Sequence, residues 1–315
     1  MREAIVLLNM GGPNNLNEVE MFLTNMFNDP YILRMKSKAL RKFVAGLITW
    51  TRVEKSQEIY RQIGGKSPLV ALTRSLVAKL KEVVEEETAV DFVMRYTPPM
   101  AEEVCLRLKE GGIDKVYLIP LYPQYSSTTT QSSIDDFEMT ARRIGWSPIT
   151  IEMKHFFTNA TYNRCLLTLI QDALKSDDSH GFELIFSAHG LPQKVVDEGD
   201  PYQRHVIAHV ELMKDLFHEE GIYFRGVHLA YQSKVGPMQW LEPSLESMLR
   251  SLNGKKVIIV PIAFSIDNSE TDFELSIEYA EVAHELGFED YRVCRCPNDH
   301  PLFVQTLKEI YQKMR

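Results

Sequence analysis

A chain of 315 residues, 44% of them hydrophobic, carries enough apolar side chain to bury a sizeable core as one large domain or two ordinary ones. Its formal charge of -8 argues against a general nucleic-acid surface, which needs a clustered excess of Lys and Arg, and no apolar stretch reaches the roughly 18 residues of a spanning helix. Cys105, Cys165, Cys294 and Cys296 are too scattered for a disulfide framework, so a reducing compartment is expected, and the Cys294-x-Cys296 pair alone is a poor start for an iron–sulfur or zinc site.

The first apolar run, Ala4–Leu8, ends at Asn9 and meets Gly11-Gly12-Pro13. It is too short for a secretory leader, and a cytoplasmic protein, or one lying on the inner face of the cytoplasmic membrane, is expected. Nor do these glycines make the G-x-G-x-x-G turn that a dinucleotide requires. Between residues 35 and 60, Phe43-Val44-Ala45-Gly46-Leu47-Ile48-Thr49-Trp50 is flanked by Lys36, Lys38, Arg41, Lys42 and Arg52. Apolar and aromatic residues rimmed by bases suit a helix at a membrane interface or at the lip of an apolar pocket, although an ordinary core helix fits the same pattern. Gly64-Gly65-Lys66-Ser67 looks like the end of a phosphate loop, but Tyr60 stands where the earlier glycine is needed, which excludes a nucleoside triphosphate site of that kind.

Further strands are predicted at Val90–Met94, Val116–Leu121, Ile149–Met153, Leu184–Phe186, Val227–Ala230 and Val257–Ile262, each separated by longer helical patterns. This alternation predicts an α/β protein with parallel sheets flanked by helices. The loops after the strands echo one another. Leu8–Pro13 corresponds to Ser187-Ala188-His189-Gly190-Leu191-Pro192, and Arg95-Tyr96-Thr97-Pro98 to Tyr231-Gln232-Ser233-Lys234. Ile119–Ser126, leading to Asp135-Asp136-Phe137-Glu138, corresponds to Val260–Ser265, leading to Thr271-Asp272-Phe273-Glu274. Two duplicated Rossmann-like lobes are therefore expected, with their strand-end loops facing each other across a cleft. The boundaries read as 1–152 plus 299–315 for the first lobe, including the lip at about 35–60, and 153–298 for the second.

Behind the last long apolar run stand Glu270, Glu274 and Glu278, spaced by four and so on one face of a helix. A solvated acidic face is the plain explanation of such a ladder; a path for protons or cations is the functional one. His189, at a strand end in the same half, makes a candidate base or metal ligand when paired with these carboxylates. Arg95, Tyr96, Lys234 and the hydroxyl-rich segment from Tyr125 and Ser126 to Ser133 add groups for anions and hydrogen bonds, though polar residues there also serve as helix caps.

Seven collinear segments closely resemble the ferrochelatase family. They are Leu8–Pro13, Tyr60–Pro68, Met94–Tyr96, Tyr122–Ser126, Phe186–Pro192, Tyr231–Pro237 with Trp240–Pro243, and Asp267–Thr271. The resemblance implies a bilobal, chelatase-like fold whose C-terminal segment completes the first lobe. It implies insertion of Fe²⁺ into protoporphyrin IX to make protohaem, with peripheral attachment to the membrane. By motif match His189 and Glu270 take the positions of the catalytic and metal-handling pair, and Glu274 and Glu278 those of an acidic relay. Met10, Arg95, Tyr96, Tyr125, Ser126, Lys234 and Trp240 are expected at the porphyrin. Whether His189 accepts a pyrrole proton or holds the metal stays open at this level.

The sequence also departs from the family. Asn268 follows Asp267 where many members have His, and Met10 stands where members that use coproporphyrin place Tyr, which favours protoporphyrin. No four-cysteine cluster is expected, because the chain ends at Arg315 without the extension that carries one, and no resident cofactor is expected, Fe²⁺ being a substrate. The rival readings are a coproporphyrin III ferrochelatase, a cobalt or nickel tetrapyrrole chelatase of the same fold, and a non-catalytic haem-binding protein. The oligomeric state is not encoded in any motif.

Overall fold

Runs such as Ile5-Val6-Leu7-Leu8 and Val257-Ile258-Ile259-Val260 lack alternation because they are buried on both faces, as central strands of parallel sheets must be. A computed structural model describes residues 1–234, 236, 238–252 and 256–315. Val235 and Pro237 of the Tyr231–Pro237 motif lie outside the described residues. The chain divides into two units, Met1–Lys154 with Val304–Arg315, and His155–Phe303.

The first unit contains, in order, β1 (Glu3–Asn9), α1 (Glu18–Phe27), α2 (Lys38–Gln62), α3 (Leu69–Lys81), β2 (Ala89–Met94), α4 (Ala101–Glu110), β3 (Lys115–Pro120), a short π-helix (Ser127–Gln131), α5 (Ser132–Arg143) and β4 (Ile149–Glu152). Its four parallel strands run in the order β2-β1-β3-β4, with Leu7 opposite Phe92 on one side and Ile119 on the other. Apolar faces of α4 and α5 cover the sheet. Phe137 and Trp146 meet edge to face at 6.1 Å, and the indole donates to Ile113 O at 3.1 Å, so the ring's one polar atom is satisfied.

The second unit contains α6 (Ala160–Leu174), β5 (Glu183–His189), α7 (Gln193–Asp197), α8 (Tyr202–Glu219), β6 (Gly226–Gln232), α9 (Leu245–Ser251), β7 (Lys256–Pro261), a π-helix (Glu270–Glu278), α10 (Tyr279–Glu285) and β8 (Asp290–Val293). Its strand order, β6-β5-β7-β8, repeats that of the first unit, and in both units a π-helix follows the third strand. The duplication inferred from loop similarity is thus a duplication of topology. All seven predicted strands are present, and β8 is an eighth. It escapes a search for apolar runs because Asp290 and Arg292 share it with Tyr291 and Val293 at the sheet edge. The final helix, α11 (Pro301–Met314), returns from Val304 onward to the first unit, where Tyr311 is buried edge to face on Tyr117 at 4.9 Å.

Candidate active site

In the second unit β5 ends at His189, and Gly190 follows because the backbone of β6 passes close by. Gly190 N donates to Gln232 O at 2.8 Å, and a Cβ on Gly190 would stand 2.9 Å from that oxygen and 3.2 Å from the Trp240 ring. Trp240 is thereby packed over the strand end, its backbone bridging Pro192. Tyr202 at the start of α8 donates to His189 O at 2.9 Å, which fixes the histidine backbone from a second direction.

The π-helix begins nine residues after β7. Asn268, buried, accepts from Glu270 N at 2.8 Å through its side chain and donates to Ile266 O at 3.2 Å, while its own N–H donates to Thr271 Oγ1 at 2.9 Å. Asn268 therefore shapes the turn that presents Glu270. Within the i→i+5 winding, Ser276 Oγ and Tyr291 OH are further donors to Thr271 O and Leu275 O, at 2.7 and 2.8 Å.

His189 Nδ1 lies 2.9 Å from Glu270 Oε2. Burial disfavours charge on the ring, but attraction and hydrogen bonding to Glu270, with Glu274 behind it, outweigh that and hold the imidazole above its ordinary value. Glu274 goes the same way for another reason: burial and the nearby Glu270 carboxylate push it up to about 7, against hydrogen bonds from Ser233 and the attraction of His189. The structure thus brings together His189, Glu270 and Glu274. Glu278, on the next turn, is exposed. Ser233, not singled out from the sequence, is the residue between the carboxylates: its Oγ donates to Glu274 Oε2 at 2.5 Å and lies 3.4 Å from Glu270 Oε2. Only its place beside Lys234 in a strand-end loop could have pointed to it. Lys234 is exposed and forms a 3.5 Å ion pair with Glu242.

The expected residues of the first unit form a separate network. Arg95 follows β2 and is engaged within its own unit: Nη2 pairs with Asp29 at 3.0 Å, Nη1 with Asp136 at 3.2 Å, and Nε donates to Ser132 Oγ at 3.0 Å. Tyr96 OH donates to Asp29 Oδ2 at 2.8 Å, and Ser132 Oγ donates to the same oxygen. Asp29, 2% exposed and absent from the sequence-based selection, is the anion that organises the cluster. Burial and the Asp29 charge hold the Tyr96 phenol well above its ordinary value, so it remains a donor. Met10 is half-buried against the Tyr96 cluster, and its carbonyl accepts from Tyr96 N at 2.9 Å. Tyr125 OH donates to Gln131 at 3.1 Å, and Ser126, buried, caps the short π-helix by accepting from Thr128 N at 3.2 Å.

Two four-stranded parallel sheets of the same order, flanked by helices, make the two-lobe fold of the chelatases. Solved structures agree. The chain is similar to "SirB from Bacillus subtilis with Fe3+" at a TM-score of 0.58 and 13% identity, covering 100% of this chain and 96% of that one. It is similar to CbiX, described as the terminal enzyme for biosynthesis of sirohaem in denitrifying bacteria, at a TM-score of 0.52 and 13% identity, covering 98% and 99%. At sequence level the ferrochelatase family model matches residues 2–315. Proteins named ferrochelatase from Sulfurimonas denitrificans and Wolinella succinogenes are 59% and 48% identical, the first over 100% of this chain and 99% of its own length, the second over 98% and 97%. The chain belongs to the ferrochelatase family.

Proposed function

We propose that this chain, a metal chelatase that inserts Fe²⁺ into a porphyrin in haem synthesis, does so with His189 and Glu270 as its working pair and Glu274 as the acceptor of displaced charge. The observation that carries this reading is the 2.9 Å contact between His189 Nδ1 and Glu270 Oε2, with the raised carboxyl of Glu274 behind it. A free-base porphyrin must lose two pyrrole protons as the metal enters. With Nδ1–H donating to Glu270, neutral His189 presents Nε2 as its basic atom, and Glu270 stabilises the imidazolium formed when that atom takes a proton. A carboxyl balanced near neutrality can then take up and release a proton without a large energy step. Imidazole and carboxylate also suit an arriving Fe²⁺.

Protoporphyrin IX is the substrate this reading favours. Met10 offers a thioether beside the Phe22 and Tyr96 cluster, suited to apolar edges of a macrocycle. Peripheral membrane contact is part of the same proposal. Leu40, Phe43, Leu47 and Trp50 are 51%, 71%, 53% and 76% exposed along α2, with bases around them. No helix among the described residues is long and apolar enough to cross a membrane. That stripe is the support for reading the protein as cytoplasmic and attached to the inner membrane face.

The test is anaerobic Fe²⁺ insertion followed by absorbance, with protoporphyrin IX and coproporphyrin III in parallel, for wild type and His189→Ala. Turnover with protoporphyrin that falls at least about 100-fold in the variant supports the assignment. Preference for coproporphyrin overturns the substrate choice, and stoichiometric haem retention without turnover overturns the catalytic reading.

A further inference from the structure

We infer that Ser233 is a positioning residue whose hydroxyl and backbone amide hold Glu274 beside Glu270 for metal insertion. The inference rests on the proposed role of Glu274. Three donors from the end of β6 converge on Glu274: Ser233 N to Oε1 at 2.7 Å, Ser233 Oγ to Oε2 at 2.5 Å and Gln232 Nε2 to Oε2 at 3.2 Å. Gln232 is itself oriented by Ser187 Oγ, which donates to its Oε1 at 2.7 Å. The same Ser233 hydroxyl lies 3.4 Å from Glu270 Oε2, the oxygen that His189 contacts. One small side chain therefore stands between the two carboxylates and gives its single proton to Glu274.

The backbone adds an independent argument. Ser233 has φ +65, in the left-handed region where glycine is at ease and a serine is strained. Glycine would satisfy the turn and keep the amide donor; what serine adds is the hydroxyl. Strain held beside a proposed site, with the strained residue's side chain aimed into it, marks a functional rather than a conformational requirement. The neighbouring cation does not substitute, since Lys234 is paired with Glu242 at the surface.

Steady-state Fe²⁺ insertion and thermal denaturation are measured for Ser233→Gly, Glu274→Gln and the double variant. Ser233→Gly is expected to lower kcat about tenfold, the order of one hydrogen bond to a charged group, with KM for porphyrin within about twofold and a melting midpoint equal to or above wild type. In the Glu274→Gln background the same change costs less than about twofold, because its partner is already altered. A slow Glu274→Gln beside a full-rate Ser233→Gly overturns this inference alone, as do equal losses from Ser233→Gly in both backgrounds. A full-rate Glu274→Gln overturns the relay reading and this inference with it.

Discussion

Glu274 joins the site's chemistry to the protein's stability. Its carboxyl is raised to about 7 by burial and by Glu270, so the folded state holds a proton there that the unfolded chain releases near 4.5. The contribution of this protonation is therefore fully present below about pH 4.5 and is lost as pH rises to about 7. His189, also raised, contributes in the same direction, losing its stabilisation as pH rises through its folded value. Glu274→Gln, which mimics the protonated form, should flatten the fall in melting midpoint between pH 5 and 8 while lowering turnover about tenfold or more, with porphyrin binding close to wild type. Thermal scans across pH and fluorescence quenching of porphyrin check stability and binding, and the insertion assay checks turnover; an unchanged turnover removes Glu274 from the proposed relay. Gly190→Ala belongs to the same scale. Its Cβ would crowd Gln232 O and Trp240, so loss of activity with a lowered midpoint is expected, measured by the insertion assay and calorimetry.

Among the elements, α2 and the second π-helix differ in how much of them could be read in advance. The apolar segment of α2 was compatible with a core helix, an interface helix or a lip. The exposure of Phe43, Leu47 and Trp50 removes the core explanation for those three, since only Ala45, Thr49 and Tyr60 of this helix are buried. Phe43, Leu47 and Trp50 replaced together by Ser should thus leave the melting midpoint within about 2 °C while reducing sedimentation with anionic vesicles several-fold. A collapsed midpoint would show that the stripe is needed for folding. The glutamate ladder was legible as a helix from its spacing, but not its π-winding, because a four-residue spacing places the carboxylates on one face of an ordinary α-helix and carries no mark of the wider i→i+5 turn.

The molecule as a whole is a duplicated β-α-β plan with one non-local closure. Residues Val304–Arg315 belong to the first unit although 149 residues, His155–Phe303, intervene. Tyr311 is fully buried there, packed on Tyr117 and 3.1 Å from Thr88 Oγ1, and its hydroxyl donates to Glu3 at 3.2 Å. Tyr311→Ala should cost about 3 kcal/mol, read by denaturant unfolding, with a first-unit signal such as Trp146 fluorescence responding. An effect near zero would mean that the C-terminal segment is dispensable for that unit.

The identity of every strand but β8, the parallel α/β class and the family were determined by the sequence alone, because apolar runs rich in Val and Ile admit few environments and seven ordered motifs do not coincide by chance. His189, Glu270 and Glu274 were likewise visible as residue types in telling positions. What tertiary structure decided was partnership. Arg95 and Lys234 looked alike as cations near strand ends, yet one is tied to Asp29 and Asp136 and the other to a surface glutamate. Asp29 lies 66 residues from Arg95, and Ser233 is 41 residues from Glu274. Hydrogen bonds at such separations depend on where the chain returns after folding, and that return is set by packing of the whole sheet rather than by any local run of residues.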